Sequence, residues 1–292
     1  MNPWIEAARL RTLPVSVAGV ITAIGFAKFD SKFSLIPSVL CLLFAILAQI
    51  TSNFANEYYD FKRGSDKKGR VGPRRSVTEG DITAKALRNV TFATIAIAGV
   101  IGCYLIPFGG WWLLPIGIAI AVFAFAYSAG PFPLSYHGLG DVAVLVFFGI
   151  VPVNLTYYVQ AGGWSPAVFL SSVTIGLMGV NVLLVNNYRD MEDDIESGKH
   201  TTVVILGRKF MGRFYLVSGY FAAFFMAPVW LLNSVWILLV PLIYLIMHTV
   251  TWYKLTHREG AALNQILGAT ARNMLVFSIL LCAILVTEAY LR

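Results

Sequence analysis

Charge is scarce in this chain. Only 13% of its 292 residues are charged and 58% are hydrophobic, far from the roughly 25% charged fraction of a soluble globular domain. That excludes an ordinary soluble fold. Cysteine is scarce too: Cys41, Cys103 and Cys282 all lie in apolar runs, with no CxxC spacing. Neither a disulfide framework nor a zinc site is indicated, and packing accounts for all three. The start, MNPWIEAARLRTLP, lacks the apolar core and small-residue cleavage site of a secretory signal, so the first helix is expected to be retained. The net charge of +7 flanks apolar segments instead of gathering on one soluble face. No nucleic-acid partner is expected.

What is present is grease in long runs. Nine stretches approach the length of about 20 residues that crosses a bilayer: Leu13–Ala27, Leu35–Tyr58, Ala84–Ile106, Trp111–Tyr127, Leu139–Val159, Ala167–Tyr188, Phe210–Leu232, Val235–Tyr253 and Met274–Leu291. The lipid bilayer is therefore the medium. An all-α polytopic membrane protein follows, because lipid-exposed strands with open edges leave backbone groups unsatisfied. All of the 22 Lys and Arg except Lys28, Lys32 and Arg292 sit in the N-terminal arm or at the connections after spans two, six and eight. By the positive-inside rule the N-terminus and those connections are cytoplasmic, and the C-terminus is outside.

Two polar clusters interrupt this pattern. Asn53, Asn56, Asp60 and Asp66 close the second apolar run; Asn186, Asn187, Asp190 and Asp194 close the sixth. In both, an Asn precedes an Asp by one helical turn, so Asn56/Asp60 and Asn186/Asp190 each share a helix face. A carboxylate at a helix C-terminus meets the negative end of the macrodipole, where cations are favoured. Two such clusters imply a bound cation. They also predict a parallel pseudo-repeat of two four-helix halves, residues 1–130 and 131–260, with a ninth helix added, forming one domain over 1–292.

Carboxylates interspersed with Lys and Arg form a grip for a diphosphate. Mg²⁺ takes oxygen ligands and bridges to phosphate, while cationic side chains neutralise the remaining charge. The same grip makes diphosphate a good leaving group. An allylic cation formed beside it needs a dry cavity with aromatic walls, for which Tyr58, Tyr59, Tyr127 and Tyr188 lie at the right level. Each candidate also has a plainer reading. Asp60, Asp190 and Asp194 would otherwise be solvated, Asp66 a surface charge, and Asn56 and Asn186 partners of helix-end carbonyls. Arg75, Lys199, Arg9 and Arg11 also serve topology. Asp141 in GLGD fits a helix cap, His137 in the same turn is structural, and Asn154 and Asn181 join helices.

The stretches NFANEYYDFKRGSD (Asn53–Asp66) and NNYRDMEDDIESGKHT (Asn186–Thr201) resemble the two Asp-rich motifs of the UbiA superfamily of intramembrane prenyltransferases. AARLRTLP, GPRRSVTEGDIT and AGPFPLSYHGLGDVAVLVFFG resemble, more narrowly, its 1,4-dihydroxy-2-naphthoate polyprenyltransferase branch in menaquinone biosynthesis. One departure stands out: Gly64 occupies the position of the usual third carboxylate, with Asp66 two residues later.

The resemblance implies a nine-helix, UbiA-like fold around a cavity open to the cytoplasm and, laterally, to lipid. It implies a Mg²⁺-dependent enzyme of the cytoplasmic (inner) membrane. Such an enzyme joins polyprenyl diphosphate to 1,4-dihydroxy-2-naphthoate with loss of CO₂ and diphosphate, giving demethylmenaquinone in its reduced, diol form. Asn56, Asp60, Asp190 and Asp194 match the metal-diphosphate positions, and Asp66 joins them as a catalytic candidate. Asn53, Asn56, Arg75, Asn186, Lys199, Tyr127 and Arg11 are the expected substrate contacts. The rivals are a related enzyme with another acceptor, such as 4-hydroxybenzoate or homogentisate, and a secondary transporter.

Overall fold

The computed structural model describes residues 2–231 and 233–292, and every regular element among them is helical. Long helices follow the expected apolar runs: α1 (Leu13–Phe29), α2 (Leu35–Arg63), α3 (Ala84–Cys103), α4 (Leu113–Ala126), α5 (Gly140–Ala161), α6 (Pro166–Arg189), α7 (Thr202–Phe225), α8 (Leu239–Thr256) and α9 (Leu263–Leu291). Seven of these segments are long and apolar enough to cross a membrane, which makes this an integral membrane protein. The count of nine spans is thus not met on length and hydropathy alone. Helix α4 has only 14 residues, and α7 opens with Arg208, Lys209 and Arg213 around a kink at Gly207 (φ 78°, ψ 154°). The seventh expected run ended at Leu232, which lies outside the described residues.

Local chemistry sets the helix ends that matter. Helix α2 has 29 residues, or roughly 43 Å at 1.5 Å per residue. That exceeds the hydrocarbon thickness of about 30 Å, so its last turns, from Asn56 to Arg63, stand in the polar interface. Gly64 stops it in the left-handed region (φ 72°), with the Ser65 N–H closing back on the Asp60 carbonyl at 3.0 Å. Helix α6 begins with Ser165 as cap and Pro166 at its first position, and ends where Asp190 leads into the short helix Met191–Glu196. Pro152 has no N–H to donate within α5, and the helix widens into a π-turn over Leu145–Ile150 just before it.

The last helix packs along the first, closing the bundle, and α6 is the most enclosed of the spans. The main core joins α1, α5, α6, α7, α8 and α9. On the other side, α2, α3, α4 and α5 surround an apolar cavity of about 360 Å³, lined by Phe44, Gly99, Gly117, Phe147 and Leu155 among others. The polar tips of α2 and α6 therefore come to the same end of the bundle, beside this apolar space.

Candidate active site

Both polar clusters, except for Asp66, line one cavity of about 170 Å³. From α2 it receives Asn53, Asn56 and Asp60; from α6 and the turn after it, Asn186, Asn187, Asp190 and Asp194. In the first cluster the one-turn spacing puts Asn beside Asp, with Asn56 Nδ2 donating to Asp60 Oδ2 at 3.2 Å; in the second, Arg189 bridges Asn186 and Asp190. Two basic residues cross between the clusters. Lys199 Nζ lies 3.0 Å from Asp60 Oδ2, and Arg70 Nη2 lies 3.0 Å from Asp190 Oδ2.

The loop after α2 folds its charges inward. Asp66 is gripped by Arg70 Nη1 and Arg75 Nε, each at 3.1 Å. Arg75 Nη2 and Arg9 Nη2 both donate to Asn56 Oδ1, at 3.3 and 2.6 Å. Arg189 holds Asp190 through two bonds of 2.6 Å and reaches Asn186 Oδ1 at 2.8 Å. Tyr136 OH donates to Asp60 Oδ1 at 3.2 Å. Opposing charges packed this closely in a partly dry pocket do not by themselves stabilise the fold, since desolvation offsets much of the attraction. They position a set of exchangeable partners for a polyanion.

Burial pushes the Asp194 carboxyl up to about 7, with Asp190 and Asp60 adding repulsion against the pull of Lys199. Burial likewise raises Asp66 to about 6, opposed by Arg70. Burial alone would lower the pKa of Lys199, but Asp60, Tyr136 and Asp194 reverse the shift and raise it. That residue stays charged.

The signs give a first prediction. A carboxyl whose ordinary value is 3.8 but which sits near 7 when folded binds more protons in the native state, so Asp194 makes the protein less stable as pH rises from about 4 to about 7. A divalent cation competes with that proton. The rise in Tm produced by Mg²⁺ with a diphosphate is therefore expected to be larger at pH 8 than at pH 6, read by thermal melting in detergent. An equal rise at both values would be inconsistent with Asp194 facing the cation.

Several expected contacts lie elsewhere. Arg11 is exposed and does not line the cavity; Arg9 does. The reason is the backbone of Arg9, which is left-handed (φ 51°) and ends the short helix Pro3–Ala8. Asn53 lines the wall but spends its amide on that arm, donating to the Ala8 carbonyl at 2.9 Å and to Thr12 Oγ1 at 3.1 Å. Of the four tyrosines, Tyr127 alone lines the cavity; Tyr58 packs on Tyr59, and Tyr188 lies under Arg208. Asp141 is not a cap, because the helix start at Gly140 has Leu139 in the cap position and no side-chain bond there. His137 does play a structural part, with Nδ1 2.8 Å from the Pro133 carbonyl.

Other residues had no distinguishing signal in the sequence. Arg70 is one of several bases in a row, and only its position one turn after Asp66 hinted at pairing. Glu57 carried no assigned role, yet it is fully buried and accepts from the Val77 N–H at 3.1 Å, fixing the short helix Ser76–Glu79 beside Arg75. Among the described residues, no group of three or more His, Cys, Asp or Glu is already gathered as a metal cage. The donors facing the cavity are carboxylate and amide oxygens, the set a hard divalent cation shared with phosphate takes.

Comparison with known proteins agrees with this geometry. A model of the UbiA prenyltransferase family matches residues 16–279. The 1,4-dihydroxy-2-naphthoate octaprenyltransferase of Haemophilus influenzae is 38% identical over 228 residues, covering 74% of this chain and 72% of that protein. The Escherichia coli protein of the same name is 33% identical over 287 residues, covering 95% and 92%. A UbiA homolog from Archaeoglobus fulgidus, solved bound to DMAPP and Mg²⁺, shares the fold with a TM-score of 0.70 at 14% identity, covering 97% of this chain and 100% of that one. With paired polar helix tips around one cavity and the family's pattern running along nearly all of its apolar body, the chain belongs to the UbiA prenyltransferase family.

Proposed function

We propose that this protein transfers a polyprenyl group from polyprenyl diphosphate to 1,4-dihydroxy-2-naphthoate, releasing diphosphate and CO₂. The observation that carries the reading is the junction of two cavities. The polar one, with its Asp, Asn, Lys and Arg, shares Gln49, Ser52, Tyr127 and Phe148 with the apolar one between α2 and α5. A diphosphate head with an isoprenoid tail has the same division. The curated relatives named for the naphthoate reaction support this acceptor over 4-hydroxybenzoate or homogentisate.

Asn56, Asp60, Asp190 and Asp194 would hold Mg²⁺, and the donor set of oxygens fits it. When bound, Mg²⁺ supplies charge neutralisation to the departing diphosphate. Arg9, Arg70, Arg75 and Lys199 exchange their carboxylate and amide partners for phosphate oxygens, so positive charge already stands where negative charge develops. The apolar walls, with Phe148 and Tyr127 at the junction, keep water from the allylic cation. The charge pattern supports a cytoplasmic N-terminus and active site, with the C-terminus outside. The matching tips support two pseudo-repeated halves, 1–130 and 131–260, plus α9.

The test uses purified protein with labelled donor and the dihydroxy acid. Mg²⁺-dependent formation of a prenylated product that has lost its carboxyl group is expected, with turnover abolished by EDTA and restored by excess Mg²⁺. A product retaining the carboxyl group, or preference for 4-hydroxybenzoate, would remove the naphthoate assignment.

A further inference from the structure

Five polar atoms on residues lining the site cavity have no hydrogen-bond partner although they are shut off from solvent. Two are Gln49 Oε1 and Arg75 Nε, the latter 3.1 Å from Asp66 Oδ2; the other three, Ser135 Oγ, Asp141 Oδ1 and Thr202 Oγ1, come from the turn before α5, from α5 and from α7. Buried polar groups are nearly always paired, and an orphan disfavours the fold. The last three, lining one cavity, mark a place for a polar ligand. Their positions are fixed locally. The turn Leu134–Tyr136 is tied to the segment before α7, where the His200 N–H donates to the Tyr136 carbonyl at 2.9 Å. Asp141 lies in the first turn of α5, beside the Thr202 hydroxyl. Thr202 is the first residue of α7, behind the Thr201 cap.

We propose that this wall receives a ring hydroxyl of the acceptor and that Asp141 is the base that takes its proton; the inference rests on the reaction proposed above. A hydroxyl suits the wall because its O–H donates to Asp141 Oδ1 while its lone pair accepts from Thr202 Oγ1. A carboxylate would be repelled by Asp141, so the hydroxyl of the acceptor, and not the acid group on the neighbouring carbon, is the one that meets it. The other titratable and charged groups lining the cavity are Tyr127 at the end of α4, Asp60, Asp190, Asp194 and Lys199 from the two polar clusters and the segment after them, and Arg9, Arg70 and Arg75. Lys199 is paired with Asp60 and turns to phosphate when the donor binds, whereas Asp141 Oδ1 has no hydrogen-bond partner.

The electrons balance without any further reactant. The hydroxyl next to the carboxyl-bearing ring carbon gives its proton to Asp141 as that carbon bonds to the allylic carbon. The allylic C–O bond breaks, and diphosphate leaves with its electron pair. The ring now holds a ketone beside a carbon bearing both prenyl and carboxylate. The bond to the carboxylate breaks next, CO₂ departs, and the electron pair moves onto the ketone oxygen, which recovers the proton from Asp141. The prenylated diol, CO₂ and diphosphate account for all atoms, and Asp141 ends as it began.

The experiment compares full-length wild type, Asp141→Asn, Asp141→Glu and Thr202→Val in nanodiscs. Wild-type turnover of the dihydroxy acid is read first; its absence overturns the reaction reading and this proposal with it. With Asp141→Asn, kcat at pH 7 is expected to fall about a hundredfold, the scale of a lost general base. Donor KM is expected to stay unchanged, and the rate to recover with rising pH as hydroxide ionises the phenol. Asp141→Glu restores turnover. Thr202→Val raises acceptor KM several-fold without moving donor KM, and serves as the readout if Asp141→Asn does not fold. A wild type that turns over beside an Asp141→Asn variant with full kcat, or with a loss that ignores pH, overturns this proposal alone. So does an unchanged acceptor KM in Thr202→Val.

Discussion

Replacing Asp60 with alanine is expected to lower prenyl transfer by at least about a thousandfold, and Asp190→Ala by a similar factor. Loss of one preorganised electrostatic group typically costs on the order of 10²–10³ in rate, and each of these carboxylates does more than one job. Asp60 is where Lys199, Tyr136 and Asn56 converge. Asp190 receives Arg70 from the other cluster and Arg189 from its own helix. Removing either strips an oxygen donor from the cation site and leaves a buried base without its partner, which costs stability as well. Asp60→Asn separates the two effects, since it keeps the shape and loses the charge. Single-turnover transfer from labelled donor, normalised to folded protein, gives the measurement. Glu196→Ala is the control: Glu196 meets Lys67 on the surface, each side chain more than 60% exposed, and exposed pairs contribute little. Full turnover in both Asp60→Ala and Asp190→Ala would remove the two tips from catalysis.

Why those carboxylates were legible in the sequence, and their basic partners were not, follows from how each is positioned. Asn56/Asp60 and Asn186/Asp190 are local pairs, one helical turn apart, and the turn is fixed once the helix forms. Long apolar runs made the helices themselves equally plain, although α4 and α7 show that a run of grease does not settle a crossing. The basic residues depend on loops. Arg9 and Arg11 are two residues apart and look alike in sequence, but a left-handed residue between two short helices sends the first inward and leaves the second outside. Arg70 and Arg75 sit in a stretch crowded with Lys and Arg, and the fold of that loop decides which of them reach Asp66. Asp141 failed as a cap by a shift in helix start. The helix begins at Gly140, so the carboxylate falls beyond the capping position and its Oδ1 goes without a partner.

Glycine contacts were the least legible feature, because they join helices distant in sequence, and one of them underlies the second large prediction. A Cβ on Gly149 would stand 2.3 Å from the Cα of Gly176, 2.5 Å from its N and 2.5 Å from the Ser172 carbonyl oxygen. All three are backbone atoms, so no rotamer change makes room. The contact is reciprocal, since a Cβ on Gly176 would meet the Leu145 carbonyl oxygen at 2.7 Å. Helices α5 and α6 thus cross backbone to backbone, a packing that membrane helices reach only through small residues. Gly149→Ala forces the crossing apart and is expected to exceed the usual overpacking cost of about 1–3 kcal/mol. At about 2–4 °C of Tm per kcal/mol for a chain of 150–250 residues, melting in detergent should drop by roughly 10 °C or more. The site should suffer as well, because Asp141 lies in the first turn of α5 and α6 ends beside Asp190. Separating the helices moves those two carboxylates relative to each other, so turnover per folded molecule should fall along with stability. Gly268→Ala in α9 provides the contrast. Its Cβ would meet nothing within 4 Å, and Ala in an open helical position is neutral or stabilising by up to about 1 kcal/mol. A Gly149→Ala protein with wild-type melting and turnover would contradict the close crossing, and with it the account of how the bundle sets the spacing of its catalytic wall.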